Sequence, residues 1–355
     1  MKPNLLRLFF FAFLSACSST PKTPVQEAPL GFLIQARESV ARDSSLLFPD
    51  HFAVSREIRV RFATNRDQES SRPGSSLVFG ETRVKVPDDH PVGSIADRYE
   101  RGPTKSLSLQ ELKASVSEAP NWGVLVFIHG FNVEFQEALF RSAQIAFDLK
   151  FQGTVLLLSW PAGKGESFLE KNLINKTYAG NRQNALKSIE VFSTLFQELS
   201  QWSIPIQTLV HSMGHQVALP ALLKITGVRE SGFIQELVLN APDFDPDEFG
   251  AAIPALKRLA KRITLYCSEK DNAMIASKAF NGRKRLGACV RHEGVDVVNV
   301  SEVDDPGLTG LGHGYYSSRP VLTDLAQVFL GVPAENRLFI RKSGSTAPEH
   351  YFLRR

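Results

Sequence analysis

A serine hydroxyl attacks a carbonyl only when a neighbouring base takes its proton, and that base needs an acid to fix its tautomer. Ser212 stands in His211-Ser212-Met213-Gly214, directly after the apolar run 206–210 and ahead of a helical pattern over 215–225. A sharp strand-to-helix turn at such a place pushes a serine side chain out at the carboxyl edge of a sheet. Crowding in the turn selects small residues two positions to either side. Gly214 meets that demand, whereas Val210 stands where the G-x-S-x-G pattern has its first glycine. A lone S-x-G is common in any long chain. The strand before it, the helix after it and His211 beside it make this one more specific.

Eight histidines compete for the role of base. In the chain order serine, acid, histidine, the base follows the last strand. His292 precedes the predicted strand 295–300 and so falls at the wrong end of the sheet, and His350 lies in the tail. His129 and His211 flank the serine but precede the places where a base is expected. His313 follows the strand in the glycine-rich loop Gly307-Leu-Thr-Gly-Leu-Gly-His-Gly314 and is the candidate base. Asp271, just past the predicted strand 263–266, is the favoured acid. Asp243 and Asp245 in Ala241-Pro-Asp-Phe-Asp-Pro246 end the preceding strand and stay open as alternatives, although Asp245 before Pro246 also suits a helix cap. The oxyanion formed in acyl transfer needs two backbone N–H donors, expected from Met213 and from Phe131 in His129-Gly130-Phe131-Asn132. Trp160 after its strand lines an acyl pocket or belongs to the core; the sequence leaves both open.

These residues need a scaffold. From 121 onward, short apolar runs alternate with amphipathic helical patterns: strands at 124–128, 154–158, 206–210, 236–239, 263–266 and 295–300, and helices at 133–149, 181–199, 215–225 and 319–330. Continuous apolar strands of this kind are covered on both faces. The alternation predicts an α/β fold, a mostly parallel sheet with helices on both faces. Asn132 is placed to cap the helix over 133–149. Upstream, 57–63 and 82–86 alternate polar and apolar residues as half-buried strands do, with a loop at 67–76 between them, while 87–120 is turn-rich. The layout is therefore a signal peptide at 1–16, a tether at 17–52, an N-terminal β-rich segment at 53–120 packed on the core, the core at 121–334, and a charged, peripheral tail at 335–355.

The first residues carry a different message. Lys2 and Arg7 precede an apolar run at 8–14 that is too short to span a bilayer, followed by Ser15, Ala16 and Cys17. Leu14-Ser15-Ala16-Cys17 resembles a bacterial lipobox, which implies that Cys17 becomes the lipidated first residue of the mature chain. Ser18 after it favours the outer membrane of the cell envelope. The 355 residues carry 41 basic and 37 acidic side chains, and loss of Lys2 and Arg7 leaves 39 basic ones. That balance argues against nucleic acid as a partner. Cys267 and Cys289, in an exported chain, form either a disulfide or two buried thiols, and sequence alone does not decide. No histidine, cysteine or acid spacing suggests a metal, and no cofactor is expected.

Phe62-Ala-Thr-Asn-Arg66, Phe127-Ile-His-Gly-Phe-Asn132, Ser159-Trp-Pro161, His211-Ser-Met-Gly214, Ala241-Pro-Asp243 and Gly312-His313 together resemble a bacterial α/β-hydrolase family of unknown function, over roughly 57–330. The resemblance implies an α/β-hydrolase fold and a serine hydrolase with esterase-like or lipase-like chemistry, acting on a small-molecule or lipid ester. Two other readings remain: a non-catalytic envelope binding protein on the same fold, and an acyltransferase using the same three side chains. Protein partners are not indicated.

Overall fold

The computed structural model describes residues 56–67, 72–94, 98–117, 122–163, 171–227, 232–304, 313–343 and 350–354, the backbone alone over 171–175. The chain divides into two units, Met1–Ala53 and Val54–Arg355. The first lies wholly outside the described residues, and with it the signal peptide, Cys17 and the whole tether. Among the described residues no helix is long and apolar enough to cross a membrane.

The strands are β1 (Glu57–Arg66), β2 (Pro73–Lys85), β3 (Glu100–Arg101), β4 (Lys105–Leu107), β5 (Val124–Ile128), β6 (Thr154–Ser159), β7 (Ile206–His211), β8 (Ile234–Asn240), β9 (Ala260–Cys267), β10 (Asp296–Asn299), β11 (Ile340–Lys342) and β12 (His350–Leu353). The helices are α1 (Leu109–Ser117), α2 (Phe135–Asp148), α3 (Lys171–Ser200), α4 (His215–Lys224), α5 (Pro246–Leu259), α6 (Asn272–Asn281) and α7 (Arg319–Phe329). The strands form one sheet in the order β11-β12-β10-β9-β8-β7-β5-β6-β1-β2-β3, with β4 also paired to β2. From β12 to β1 every pairing is parallel. The antiparallel pairs lie at the two edges.

The period-two alternation of a strand divides β5 between two cores. Val124, Val126 and Ile128 join a cluster that includes Phe192 of α3, Val217 of α4 and Phe249 of α5. Leu125 and Phe127 join another with Leu139 of α2 and Leu325 of α7. The strand is buried at every residue because helices cover both faces, which is why it reads as an unbroken apolar run. Chain order also reverses at β5. From it the sheet runs through β6 to β1 on one side and through β7 to β10 on the other. A reversal of this kind opens a crevice at the carboxyl ends of the two strands, here β5 and β7.

Some expectations need correction. The β-rich segment does not sit on the core: β1 enters the sheet parallel to β6, and β2 returns as its hairpin partner, beginning at Pro73 inside the expected loop. Asn132 does not cap the helix. It adopts φ 55°, and Glu134 holds the cap position of α2. The tail is not peripheral, because β12 pairs with β10 and buries His350, Tyr351 and Leu353. Its charge suggested a solvated segment, but the Arg337 side chain is buried against Asp324, which also accepts from the Tyr266 hydroxyl. A cation with a buried partner anchors a segment that its composition alone would leave in water.

Candidate active site

Ser212 follows β7 at a turn that places it at φ 52°, in the left-handed region, and opens the short 3-10 turn that leads into α4. For a residue with a β-carbon that conformation costs about 1–3 kcal/mol, so its surroundings must enforce it. Two glycines leave the room. A β-carbon on Gly214 would lie 2.5 Å from the His129 carbonyl oxygen, and one on Gly130 would lie 2.8 Å from the Ser212 Cβ. This resolves the departure at Val210, whose side chain is fully buried in the cluster that holds Ile128 and Met213. The space beside the serine comes from Gly130 in the loop after the neighbouring strand β5.

Three of the candidate residues meet. Ser212 Oγ lies 2.6 Å from His313 Nε2, and His313 Nδ1 lies 2.7 Å from Asp271 Oδ2. A carboxylate at Nδ1 assigns the proton there, so Nε2 presents its lone pair to the serine hydroxyl. Asp271 is held from behind. Its Oδ1 accepts from the Ala273 and Met274 amides as the cap of α6, at 2.9 and 3.1 Å. The side chain of Asp271 is fully buried and that of His313 is 18% exposed, so the imidazole is reachable and the carboxylate is not.

The other two aspartates are committed elsewhere. Asp243 is buried and accepts from Arg285 Nε at 2.7 Å, Tyr178 Oη at 2.8 Å and Ser277 Oγ at 2.5 Å. Asp245 caps α5 and pairs with Arg283.

Further histidines gather around the serine. His211 donates from Nε2 to the His313 carbonyl at 3.2 Å, and its ring packs on Tyr316 at 4.1 Å. Burial, and then the neighbouring His313, hold it well below the usual histidine range. His215 contacts the Ser212 carbonyl through Nδ1 at 2.7 Å, and burial lowers it to about 3. His129 is likewise lowered to about 3 by burial, and its ring stacks on Trp160 at 5.5 Å. Trp160 is fully buried and donates its indole N–H to the His129 carbonyl at 2.8 Å, which settles its place as scaffold. Sequence reasoning passed over His215 and Asp304. Asp304 is raised by burial, accepts from Ser268 and feels the charge of Asp271. Their signal is tertiary proximity, which spacing does not carry.

The loop after β5, with Phe131, runs beside Ser212 through Gly130. It is bounded by polar contacts from two elements. On α3, Asn181, Asn184 and Ser188 fall on one face and reach, in turn, the Asn132 amide (3.3 Å), the Pro161 carbonyl (2.9 Å) and Asn65 Nδ2 (2.9 Å). At the end of β1, Thr64 Oγ1 donates to the Ser159 carbonyl at 2.7 Å, and Arg66 donates to the carbonyls of Val133 and Trp160, each at 3.0 Å. Cys267 at the end of β9 forms a disulfide with Cys289, with a Cα–Cα distance of 5.1 Å.

A parallel sheet between helix layers, with a serine on a strained strand-to-helix turn at the topological switch, defines an α/β hydrolase. A family model described as "Alpha/beta hydrolase of unknown function (DUF900)" matches residues 105–331, and the chain belongs to that family. The matched span begins after Phe62–Arg66. No curated protein matches the chain. Among solved structures, the phospholipase PlaB from Legionella pneumophila in complex with thio-NAD is similar at 10% identity, over 65% of this chain and 67% of that one, with a TM-score of 0.29. An esterase from Pyrobaculum calidifontis is similar at 13% identity, over 88% and 98%, with a TM-score of 0.33. Likeness at this level says nothing of this chain's reaction.

Proposed function

We propose that this α/β hydrolase is a serine hydrolase cleaving carboxylic esters, with Ser212 as nucleophile, His313 as general base and Asp271 as the acid that orients it. The observation that carries the reading is the continuous path from Ser212 Oγ through both ring nitrogens of His313 to Asp271 Oδ2. In the first half-reaction His313 Nε2 takes the serine proton while Oγ bonds to the carbonyl carbon. The carbonyl oxygen becomes an oxyanion and accepts from the Phe131 and Met213 amides. Buried Asp271 stabilises the imidazolium. As the tetrahedral centre collapses, Nε2 returns its proton to the leaving alcohol. Water, deprotonated by the same base, then releases the acid from Oγ.

We propose further that the chain is held in a bacterial envelope by lipid on Cys17 and draws its ester from amphiphilic molecules at the membrane surface. The support is the Leu14–Cys17 motif.

The experiment is covalent labelling with a fluorophosphonate, alongside turnover of 4-nitrophenyl esters of graded chain length. Wild-type protein is expected to label and turn over, and Ser212→Ala to do neither while keeping its circular dichroism spectrum. Labelling that persists in Ser212→Ala removes the serine from the role.

A further inference from the structure

The backbone of the loop after β5 is not self-sustaining. Phe131, the proposed oxyanion donor, is followed by Asn132 at φ 55°, a conformation that a residue with a β-carbon keeps only when its surroundings impose it. The contacts that impose it flank the strained residue on both sides. Ahead of it, the Asn132 amide donates to Asn181 Oδ1 at 3.3 Å, and Asn181 is itself buried and oriented by donating from Nδ2 to the Thr177 carbonyl at 2.9 Å. Behind it, Arg66 Nη2 donates to the Val133 carbonyl and to the Trp160 carbonyl, tying the loop after β5 to the end of β6. A planar guanidinium can bridge two carbonyls from one nitrogen in a fixed direction; an ammonium on a flexible stem holds neither direction.

We propose that Arg66 and Asn181 are positioning residues that clamp the loop Gly130–Val133, and so fix the Phe131 amide where it meets the developing oxyanion. The inference rests on the serine-hydrolase reading. It gives the Phe62–Arg66 motif, which touches none of the three reacting side chains, a part in the reaction: β1 delivers an arginine to the far side of the oxyanion loop.

The test uses the full chain in detergent. Amide hydrogen exchange over 130–134, followed by mass spectrometry, reads the loop directly and needs no turnover. Steady-state hydrolysis of a 4-nitrophenyl ester, normalised to fluorophosphonate-titrated sites, reads its consequence. In Arg66→Lys and Asn181→Ala, exchange over 130–134 is expected to accelerate while the sheet strands stay protected. The kcat per titrated site should fall about 10- to 100-fold, as for a misplaced catalytic group, with KM within about threefold. Arg66 lines a cavity of about 400 Å³ open to solvent, so added guanidinium ion should restore part of the kcat of Arg66→Ala. Arg101→Ala, exposed on the same cavity and in neither contact, should leave kcat unchanged. Unchanged exchange and a kcat within twofold of wild type in both variants would overturn the clamp. A uniform loss of protection and of titratable sites, with normal kcat per site, would overturn it too, by showing a role in folding alone. A wild-type chain that neither labels nor turns over would retire the serine-hydrolase reading, while the exchange data would still decide separately whether Arg66 and Asn181 hold the loop.

Discussion

Gly130 lies against Ser212 so closely that a β-carbon at position 130 would stand 2.8 Å from the serine Cβ and 3.0 Å from His211 Nδ1. The loop after β5 therefore shapes the turn that carries Ser212. Gly130→Ala is expected to displace Ser212 and lower kcat on the order of 100-fold. Overpacking should cost about 1–3 kcal/mol of stability. The rate of fluorophosphonate labelling and a thermal melt check the two effects, and a labelling rate equal to wild type would count against this account of the turn.

If the proposed mechanism holds, Asp271 and Asp243 separate catalysis from stability. Asn at 271 can still cap α6 but offers His313 no charge and favours the wrong tautomer, so Asp271→Asn should lose about 10⁴-fold in kcat. Asp243→Asn instead leaves Arg285 buried without its partner, an expected loss of about 3–5 kcal/mol with kcat per folded molecule near wild type. Urea unfolding and steady-state kinetics on both variants check the contrast. The reverse pattern would move the acid to Asp243.

Stability should fall on the acid side. Burial lowers His129 and His215 to about 3 in the folded chain, against an ordinary value of 6.5. A depressed folded value means that the unfolded chain binds the proton first. The stability held above about pH 6.5 is thus lost as pH falls from 6.5 toward 3, with a slope of up to about 1.4 kcal/mol per pH unit for each such histidine. Urea midpoints measured between pH 7.5 and 4.5 should drop steadily, and a flat profile would show that these rings do not stay neutral.

Much of this arrangement is legible in the sequence. The unbroken apolar run at 124–128 and the largely apolar one at 206–210 announce strands covered on both faces, and the turn after the second announces the serine at its carboxyl end. Asp271 and His313 are legible through chain order. The tail and Asn132 are not. Arg337 in the tail looks solvated until Asp324 is seen beside it, and Asn132 looks like a cap until Arg66 and Asn181 are seen to hold its backbone elsewhere. Both depend on partners far away in the chain, which no local pattern records. His215 is hidden for another reason: it sits in a helical run as any polar residue might, and only its contact with the Ser212 carbonyl reveals it.

The left-handed backbone at Ser212 puts the molecule in tension with itself. The proposed nucleophile is also a residue that the fold would rather replace. Ser212→Gly and Ser212→Ala both remove the hydroxyl, yet glycine accepts φ 52° freely and alanine does not, so the glycine variant should melt higher, by about 1 kcal/mol of stability. Selection for robustness alone would thus drift toward an inert protein, and keeping the serine is a standing sacrifice of durability for readiness.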